Sequence, residues 1–418
     1  MRLGGIFHAA RAFSALGVDF SIAYYAPDYL DDDINYWALY LQTKGCYKLG
    51  RITHAPNVML IRESTEAGDQ GYYNILKDQA EYLDTNSLDK ILRVVNPTDV
   101  LLFPGRYNNH NVMKHVEHSP CRLHIDIHYD SEGLLDDVAR GIDTLFLSTS
   151  SAIFSKYCRG AYSELIKHYG RSNVKCYVIK ENRGGSVCYI PQENTQFASA
   201  AYYVPAMHSV GVGDVYDSVF VSGIVEDEVS KKMSLAALCA AKYAETMDFC
   251  KFKSNMQLII ENSGDLYTLK GTRLPWQERK DMNIYLAAPD FPDVDTKLLD
   301  DLFNSLCYHN FSPRRPIKEN GLAYNEMSYE NELLLYQEDT NLMDKCILLI
   351  AVMLNNDPGT LVELGMFKQT GKHTIIYDPF HYCTNMFVRH TPDYLCGTIS
   401  DVIDATFLCL GEEYNANI

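Results

Sequence analysis

Two features that anchor whole classes of function are missing from this chain: a C-x-x-C pair and an apolar run long enough to cross a membrane. The twelve cysteines are scattered from Cys46 to Cys409, which removes the usual zinc and dithiol signatures and leaves no metal site to be expected. Cys239, Cys346 and Cys409 stand in apolar runs, where a free thiol acts as a small hydrophobe. A reducing cytoplasm is the matching expectation. The first residues, MRLGGIFHAARAFSALG, contain no sustained apolar segment, so no signal peptide and no membrane partner are expected. Positive charge is also short: 37 Lys and Arg against 54 Asp and Glu give a net charge of −17. Such an exterior repels a phosphate backbone, so no nucleic-acid partner is expected. There is no internal repeat and no low-complexity segment.

What is present is a well-mixed globular composition, 47% hydrophobic and 22% charged over 418 residues, too long for one typical core and suited to two domains. Short apolar runs read as buried strands: DVLLFPG (99–105), LHIDIH (123–128), DTLFLS (143–148) and VKCYVIK (174–180). Between them lie helix-period stretches at 131–141 and 154–170, and the Ala-rich 230–247 reads as a strong helix. Strands alternating with helices predict a parallel α/β sheet. The polar stretch 263–282, with Pro275, is the best linker candidate. After it a second α/β series begins: strand NIYLAAP, helices at 294–308 and 329–345, strand CILLIAVML, helix GTLVELGMFKQTG, strand HTIIYD and a last strand near DATFLCL (404–410).

The stretch LNNDPGTLVELG (354–365) carries the chemistry of this second series. Ligands of open α/β sheets sit beyond the carboxyl ends of the strands. One such end presents Pro289, Asp290 and Phe291, and another presents Asp357, with Glu363 in the first turns of the following helix. Glu332, Asp339 and Asp344 lie on the helix that feeds the same edge. Paired carboxylates suit a glycosidic-bond enzyme, one as nucleophile and one as proton carrier. From spacing alone, Asp357 reads as readily as a turn former and Glu363 as a helix-start charge.

Residues from Met282 to about Ala405 resemble the nucleoside 2-deoxyribosyltransferase family. The shared pieces are IYLAAPDF, the Y-x-x-D of Tyr336 to Asp339, the D-x-G-[ST]-x-x-E-x-G of Asp357 to Gly365, and TNMF around Asn385. The resemblance implies Glu363 as nucleophile on the anomeric carbon and Asp339 as the residue that contacts or protonates the departing base. It further implies Asp357 and Gly359 at the sugar's 5′ end, Phe291 against the base, and Asn385 completing a neighbouring subunit's site, hence a homo-oligomer, a dimer or larger. No cofactor is expected for this domain. Related hydrolases act on 5′-monophosphates, and Ser312, Arg314 and Arg315 in FSPRRP suit a phosphate or, equally, a solvated loop.

In the first half, HSVGVGDVYDSVFVSG (208–223) places Gly211, Val212 and Gly213 before Asp214. Such a turn exposes backbone amides as an anion hole, and an adjacent Asp can take a proton from an attacking hydroxyl. A plain helix start fits the spacing as well. Residues 3–267 resemble the ribokinase-like (PfkB) sugar and nucleoside kinases through LGGIFHAARAFSALG, GVGD and the Ala-rich helix after it. The resemblance implies Asp214 as catalytic base, the turn as anion hole, and ATP with Mg²⁺ as cofactors. Three departures oppose turnover. The strand that precedes the Gly-Gly loop in that family is not seen, Ser151 in LSTSSAIF stands where a metal-linked Glu is expected, and KENRGGS replaces T-x-G. His208 reads as a structural loop residue.

The expectation is therefore an α/β protein of two domains. A ribokinase-like α/β sandwich (1–268) and a linker (269–281) precede a smaller flavodoxin-like parallel-sheet domain (282–418). The function expected is a nucleoside- or nucleotide-processing enzyme that cleaves or exchanges an N-glycosidic bond, fused to a kinase-like domain that phosphorylates or binds a nucleoside or sugar. The alternative is a nucleotide sensor that binds at both sites without turnover.

Overall fold

The computed structural model describes residues 3–53, 58–61, 64–69, 72–76, 81–84, 87–105, 107–127, 141–157, 162–169, 173–225, 228–262, 271–323 and 327–416. The polypeptide divides into two compact units, Met1–Thr65 with Gln70–Gly271, and Glu66–Asp69 with Thr272–Ile418.

The first unit contains strands β1 (Ser21–Ala26), β2 (Gly45–Thr53), β3 (Val58–Ile61), β4 (Tyr72–Leu76), β5 (Glu81–Asp84), β6 (Asp99–Leu102), β7 (Arg122–Asp126), β8 (Thr144–Ser148), β9 (Tyr177–Lys180), β10 (Ser186–Ile190) and β11 (Thr195–Ser199). Its main sheet has six strands in the order β11-β10-β9-β8-β7-β6. The four runs read as strands from the sequence are β6 to β9, paired in parallel. Every residue of β8 is buried, the pattern of a strand covered on both faces. β10 and β11 extend the sheet as antiparallel neighbours. β1, β2 and β5 form a separate three-stranded sheet, and β3 and β4 a two-stranded one. The helices Gly5–Leu16, Val212–Val221, Val229–Ala244 and Phe249–Glu261 share a core with Phe146, Val178 and Cys188. Small residues in that core, among them Ala12, Ala15, Ala236 and Ala240, let the helices approach closely. The helix expected at 131–141 lies outside the described residues apart from Gly141. The one expected at 154–170 is found as Ala152–Tyr157 and Tyr162–Tyr169, with 158–161 and 170 outside the described residues.

The second unit contains β12 (Asn283–Ala287), β13 (Ser312–Arg314), β14 (Leu348–Val352), β15 (His373–Tyr377) and β16 (Tyr394–Cys396) in one parallel sheet ordered β13-β12-β14-β15-β16. Counted within the unit this is 2-1-3-4-5, the flavodoxin-like doubly wound order. Alternation along β12 decides what each face meets. Ile284 and Leu286 join a core with Leu299, Leu302, Val402 and Phe407. Tyr285 and Ala287 face Leu342, Met343, Leu364 and Phe367 of the helices Tyr329–Asp344 and Pro358–Gln369.

Two sequence expectations change here. The run DATFLCL is not a strand but part of the helix Ile399–Ala416. Val402, Ile403, Ala405, Thr406, Phe407, Cys409 and Leu410 are all buried, so this helix is covered almost all round, and a short apolar run cannot be told from a strand by periodicity. The last strand is the shorter β16. Of the expected linker, residues 263–270 lie outside the described residues, whereas Leu274 and Arg279 are fully buried in the second unit.

Arg279 is what a polar, linker-like stretch conceals. Its guanidinium donates to Leu274 O at 3.0 and 2.8 Å and to His309 O at 3.3 Å, and lies 4.8 Å from the Phe407 ring centroid. Removing a buried donor strands its acceptors. Arg279→Ala is expected to lower the stability of the second unit by about 2–4 kcal/mol, read as a shift of its denaturant midpoint. An unchanged midpoint would show the side chain to be dispensable.

Candidate functional site

In the second unit the strand order reverses between β12 and β14, the place where doubly wound sheets bind ligands. Tyr285, on β12, points its hydroxyl at this place and donates to Glu363 Oε1 at 2.6 Å. Glu363 sits in the second turn of the helix Pro358–Gln369, which opens directly after β14. The helix starts here for local reasons: Asp357 is its N-cap, with Oδ2 accepting from Thr360 N at 2.7 Å and Thr360 Oγ1 at 2.9 Å, and Pro358 fills the first turn. Gly359 follows beside the Asp357 carboxylate.

A carboxylate at a helix start is ordinarily favoured in its charged form. Here burial wins. It pushes the Glu363 carboxyl up to about 7, with Asp339 and Asp357 adding repulsion and the Tyr285 hydrogen bond opposing. Asp339, late on the helix Tyr329–Asp344, is also raised by burial, opposed by an amide donated from Asn320 Nδ2 at 2.8 Å. Thus Glu363, Asp339 and Asp357 share one site, as their spacing suggested, while Glu332 and Asp344 are exposed on their helix.

The other expected residues are placed as follows. Phe291 is exposed just beyond β12. Asn385 caps the short helix Met386–His390, its side chain accepting from Phe387 N at 2.8 Å. Arg314 is bonded to Glu319 and, at 3.1 Å, to Asn283 Oδ1. Arg315 makes a bidentate pair with the buried Asp290, at 2.9 and 2.7 Å, and also reaches Asp300. Ser312 donates to Lys280 O. The sequence reading missed Tyr285 and Asn320. A tyrosine alternating with apolar residues on a covered strand was the available signal for the first; nothing local marks the second.

In the first unit Gly211 takes φ +79° and caps the helix Val212–Val221. A side chain there is strained by the backbone alone, and a Cβ would lie 2.2 Å from the His8 ring. The Val212 amide bonds Ser209 O, so of the expected anion hole, Gly211 to Gly213, the turn itself takes up the middle amide. Asp214 packs against Gly5, where a Cβ would meet its Oδ1 at 2.9 Å. Burial, then Asp126, raises the Asp214 carboxyl to about 7, against the lowering effect of Lys180. Lys180 Nζ bonds Asp217 Oδ2 and Oδ1 at 2.7 and 2.9 Å and Asp126 Oδ2 at 3.4 Å. This buried cluster was not foreseen, although Asp126 within an apolar strand and Asp217 on an apolar helix face are unusual enough to mark it.

The fit of these residues to Mg²⁺ is poor. Lys180 already occupies the space between Asp217 and Asp126, and among the described residues no group of three or more His, Cys, Asp or Glu is placed to hold a metal ion. Ser151 is buried and its Oγ accepts from Phe154 N, a structural use. Glu181 is buried and accepts from Tyr162. His208 Nε2 bonds Thr246 O at 3.1 Å, the structural role expected of it.

Glu363 gives a pH test. Its raised carboxyl holds a proton in the folded state between about 4.5 and 7 that the unfolded chain has released. Its contribution to stability is therefore full at low pH and is lost as pH rises through about 7. Glu363→Gln, which keeps an acceptor for Tyr285, should be more stable than the parent at pH 8 by about 1–3 kcal/mol, with the gap closing near pH 4. A gap that stays constant with pH would show that the carboxyl is not raised.

Residues 284–391 match the family model described as nucleoside 2-deoxyribosyltransferase. No curated protein matches the chain. Solved structures with a similar outline include ribokinase from Giardia lamblia (13% identity, TM-score 0.48, covering 63% of this chain and 88% of that one). Another is a putative ribokinase II from E. coli (13%, 0.45, 62% and 88%). A third is Arabidopsis thaliana ribokinase complexed with ribose and ATP (15%, 0.44, 62% and 87%). At these scores the likeness says nothing about activity. The C-terminal unit, with Tyr285, Asp339, Asp357 and Glu363 inside the matched range, thus carries a nucleoside 2-deoxyribosyltransferase family domain.

Proposed function

We propose that this chain processes nucleosides, breaking the N-glycosidic bond with Glu363 as nucleophile. The observation that carries this reading is a half-buried carboxyl, held through one oxygen by Tyr285, at the switch point of a doubly wound sheet and beside a second raised acid. Tyr285 fixes Oε1 and leaves Oε2 to form the bond to the anomeric carbon as the carbon–nitrogen bond breaks. Asp339, raised by burial, supplies the proton that the departing base takes up. The covalent sugar then passes to water or to a second base, and the incoming group's proton returns to Asp339. Asp357 uses Oδ2 for its cap, so Oδ1 suits a sugar hydroxyl near the 5′ end. Ser312, Arg314 and Arg315 are committed to partners within the fold. That favours an unphosphorylated nucleoside over its 5′-monophosphate.

Glu363→Ala should abolish base release from deoxynucleosides, followed by chromatography, by at least about 10³-fold with the fold intact. Near-normal turnover in that variant would end the assignment. We further propose that Asn385 completes the site of a second copy in a dimer or larger oligomer. Asn385→Ala should then lose activity as well, and mixing it with Glu363→Ala should restore part of it. A fully active monomer, or no rescue on mixing, rejects the shared site.

For the first unit, Asp214 beside the Gly213 amide suits a base at an anion site, while the Lys180 cluster favours binding without phosphoryl transfer. ATP consumption with a nucleoside or sugar, lost in Asp214→Asn, would establish a kinase. No consumption with any such substrate leaves a ligand-binding unit, the reading in which this half acts as a nucleotide sensor.

A further inference from the structure

We propose that the first unit holds a second, separate binding cleft for one neutral planar heteroaromatic ring system of the nucleobase class. The cleft lies between the helices Gly5–Leu16 and Asp31–Tyr40 and the start of the helix Phe249–Glu261, and measures about 180 Å³. Pockets for drug-sized ligands run to roughly 300–1,000 Å³, so this one admits a base but not a base with its sugar and phosphates. The inference is independent of the glycosidic reading.

Five of its lining side chains are aromatic: Trp37, Tyr40, Tyr243, Phe249 and Phe252. They already contact one another in edge and tilted arrangements, with Trp37 and Tyr40 at 5.5 Å, Tyr40 and Phe249 at 5.6 Å, and Tyr243 and Phe252 at 4.9 Å between centroids. Walls of this kind offer π faces and edges to a flat guest. An aromatic cage often takes a cation, but here the cation is built in: the Arg11 guanidinium lies 5.0 Å from the Trp37 ring centroid. The face that a cationic guest would take is thus already occupied. Asp248, also in the lining, caps the start of its helix, its Oδ1 accepting from the amides of Cys250 and Lys251 at 2.7 and 3.3 Å, and its charge offsets that of Arg11 within the cleft. The guest that remains is neutral and flat, with carbonyl or ring-nitrogen acceptors for a guanidinium, which describes a nucleobase.

The floor is preformed. Tyr243 is buried, its hydroxyl accepting from Arg11 Nη1 at 3.3 Å and bonding His8 Nδ1 at 2.6 Å. The rings of His8 and His208 meet it edge-on at 5.8 and 5.2 Å. His8 in turn abuts Gly211. A guest on Tyr243 would therefore rest on a side chain whose orientation is already fixed, which lowers the cost of binding.

The chain has two tryptophans, and Trp276→Phe leaves Trp37 as the sole reporter. In the full-length protein, adenine, hypoxanthine, cytosine and thymine are titrated by calorimetry and by Trp37 fluorescence. At least one base is expected to bind saturably with a change in Trp37 emission. Arg11→Met should weaken binding about tenfold or more. Met247→Arg, at the exposed rim of the cleft, should block it without disturbing the core. Glu363→Gln and Asp214→Asn should bind as the parent does. No saturable binding of any of the four bases overturns the proposal. So does binding that survives Met247→Arg, or that disappears with Glu363→Gln or Asp214→Asn, because the base would then occupy one of the other sites.

Discussion

The hydrogen bond from Tyr285 to Glu363 joins the first strand of the parallel sheet to the helix that follows its third strand. It bridges the one place where the strand order reverses. Everything that makes the second unit chemically interesting depends on this bridge. The sheet must place β12 and β14 side by side, and the Asp357 cap must start the helix at Pro358 so that Glu363 falls over Tyr285. The apolar packing of Leu364 and Phe367 must then hold that helix face down. Burial raises the proton affinity of Glu363, while the tyrosine hydroxyl limits the rise by favouring the ionised form. The carboxyl is thereby tuned towards neutrality by two opposed effects of the same location.

The first unit solves a similar electrostatic problem differently. Two buried aspartates, Asp126 and Asp217, with the half-buried Asp214 beside them, need a counter-charge, and Lys180 supplies one. Burial alone would drive a lysine towards its neutral form, but the carboxylates around it hold it charged. The same compensation leaves Asp214 with a proton affinity near neutrality, so geometry fit for a base coexists with a charge balance fit for simple ligand binding.

Local pattern made much of this legible. The strands β6 to β9, β12, β14 and β15 are apolar runs bounded by turn residues. The Asp-Pro-Gly-Thr sequence specifies its own N-cap, so Asp357 and the start of the helix were readable without any tertiary information. Glycines 211 and 213 before Asp214 likewise announced a turn into a helix, and the turn is there.

What the sequence could not decide was anything requiring a comparison between distant segments. DATFLCL carries too few residues to separate strand from buried helix, and only the packing of Val402, Phe407 and Leu410 between neighbours made it a helix. The polar stretch around Arg279 looked like a linker because its side chain finds its acceptors on Leu274 O and on the distant His309 O. FSPRRP read equally as a phosphate grip or a solvated loop, because the partner that Arg315 meets, Asp290, lies 25 positions away in sequence. Local composition thus determined the strands and the capped helices. The fold alone determined which charges are buried, which are already paired, and therefore which of them remain for a ligand, because desolvation and ion pairing depend on neighbours that lie far apart along the chain.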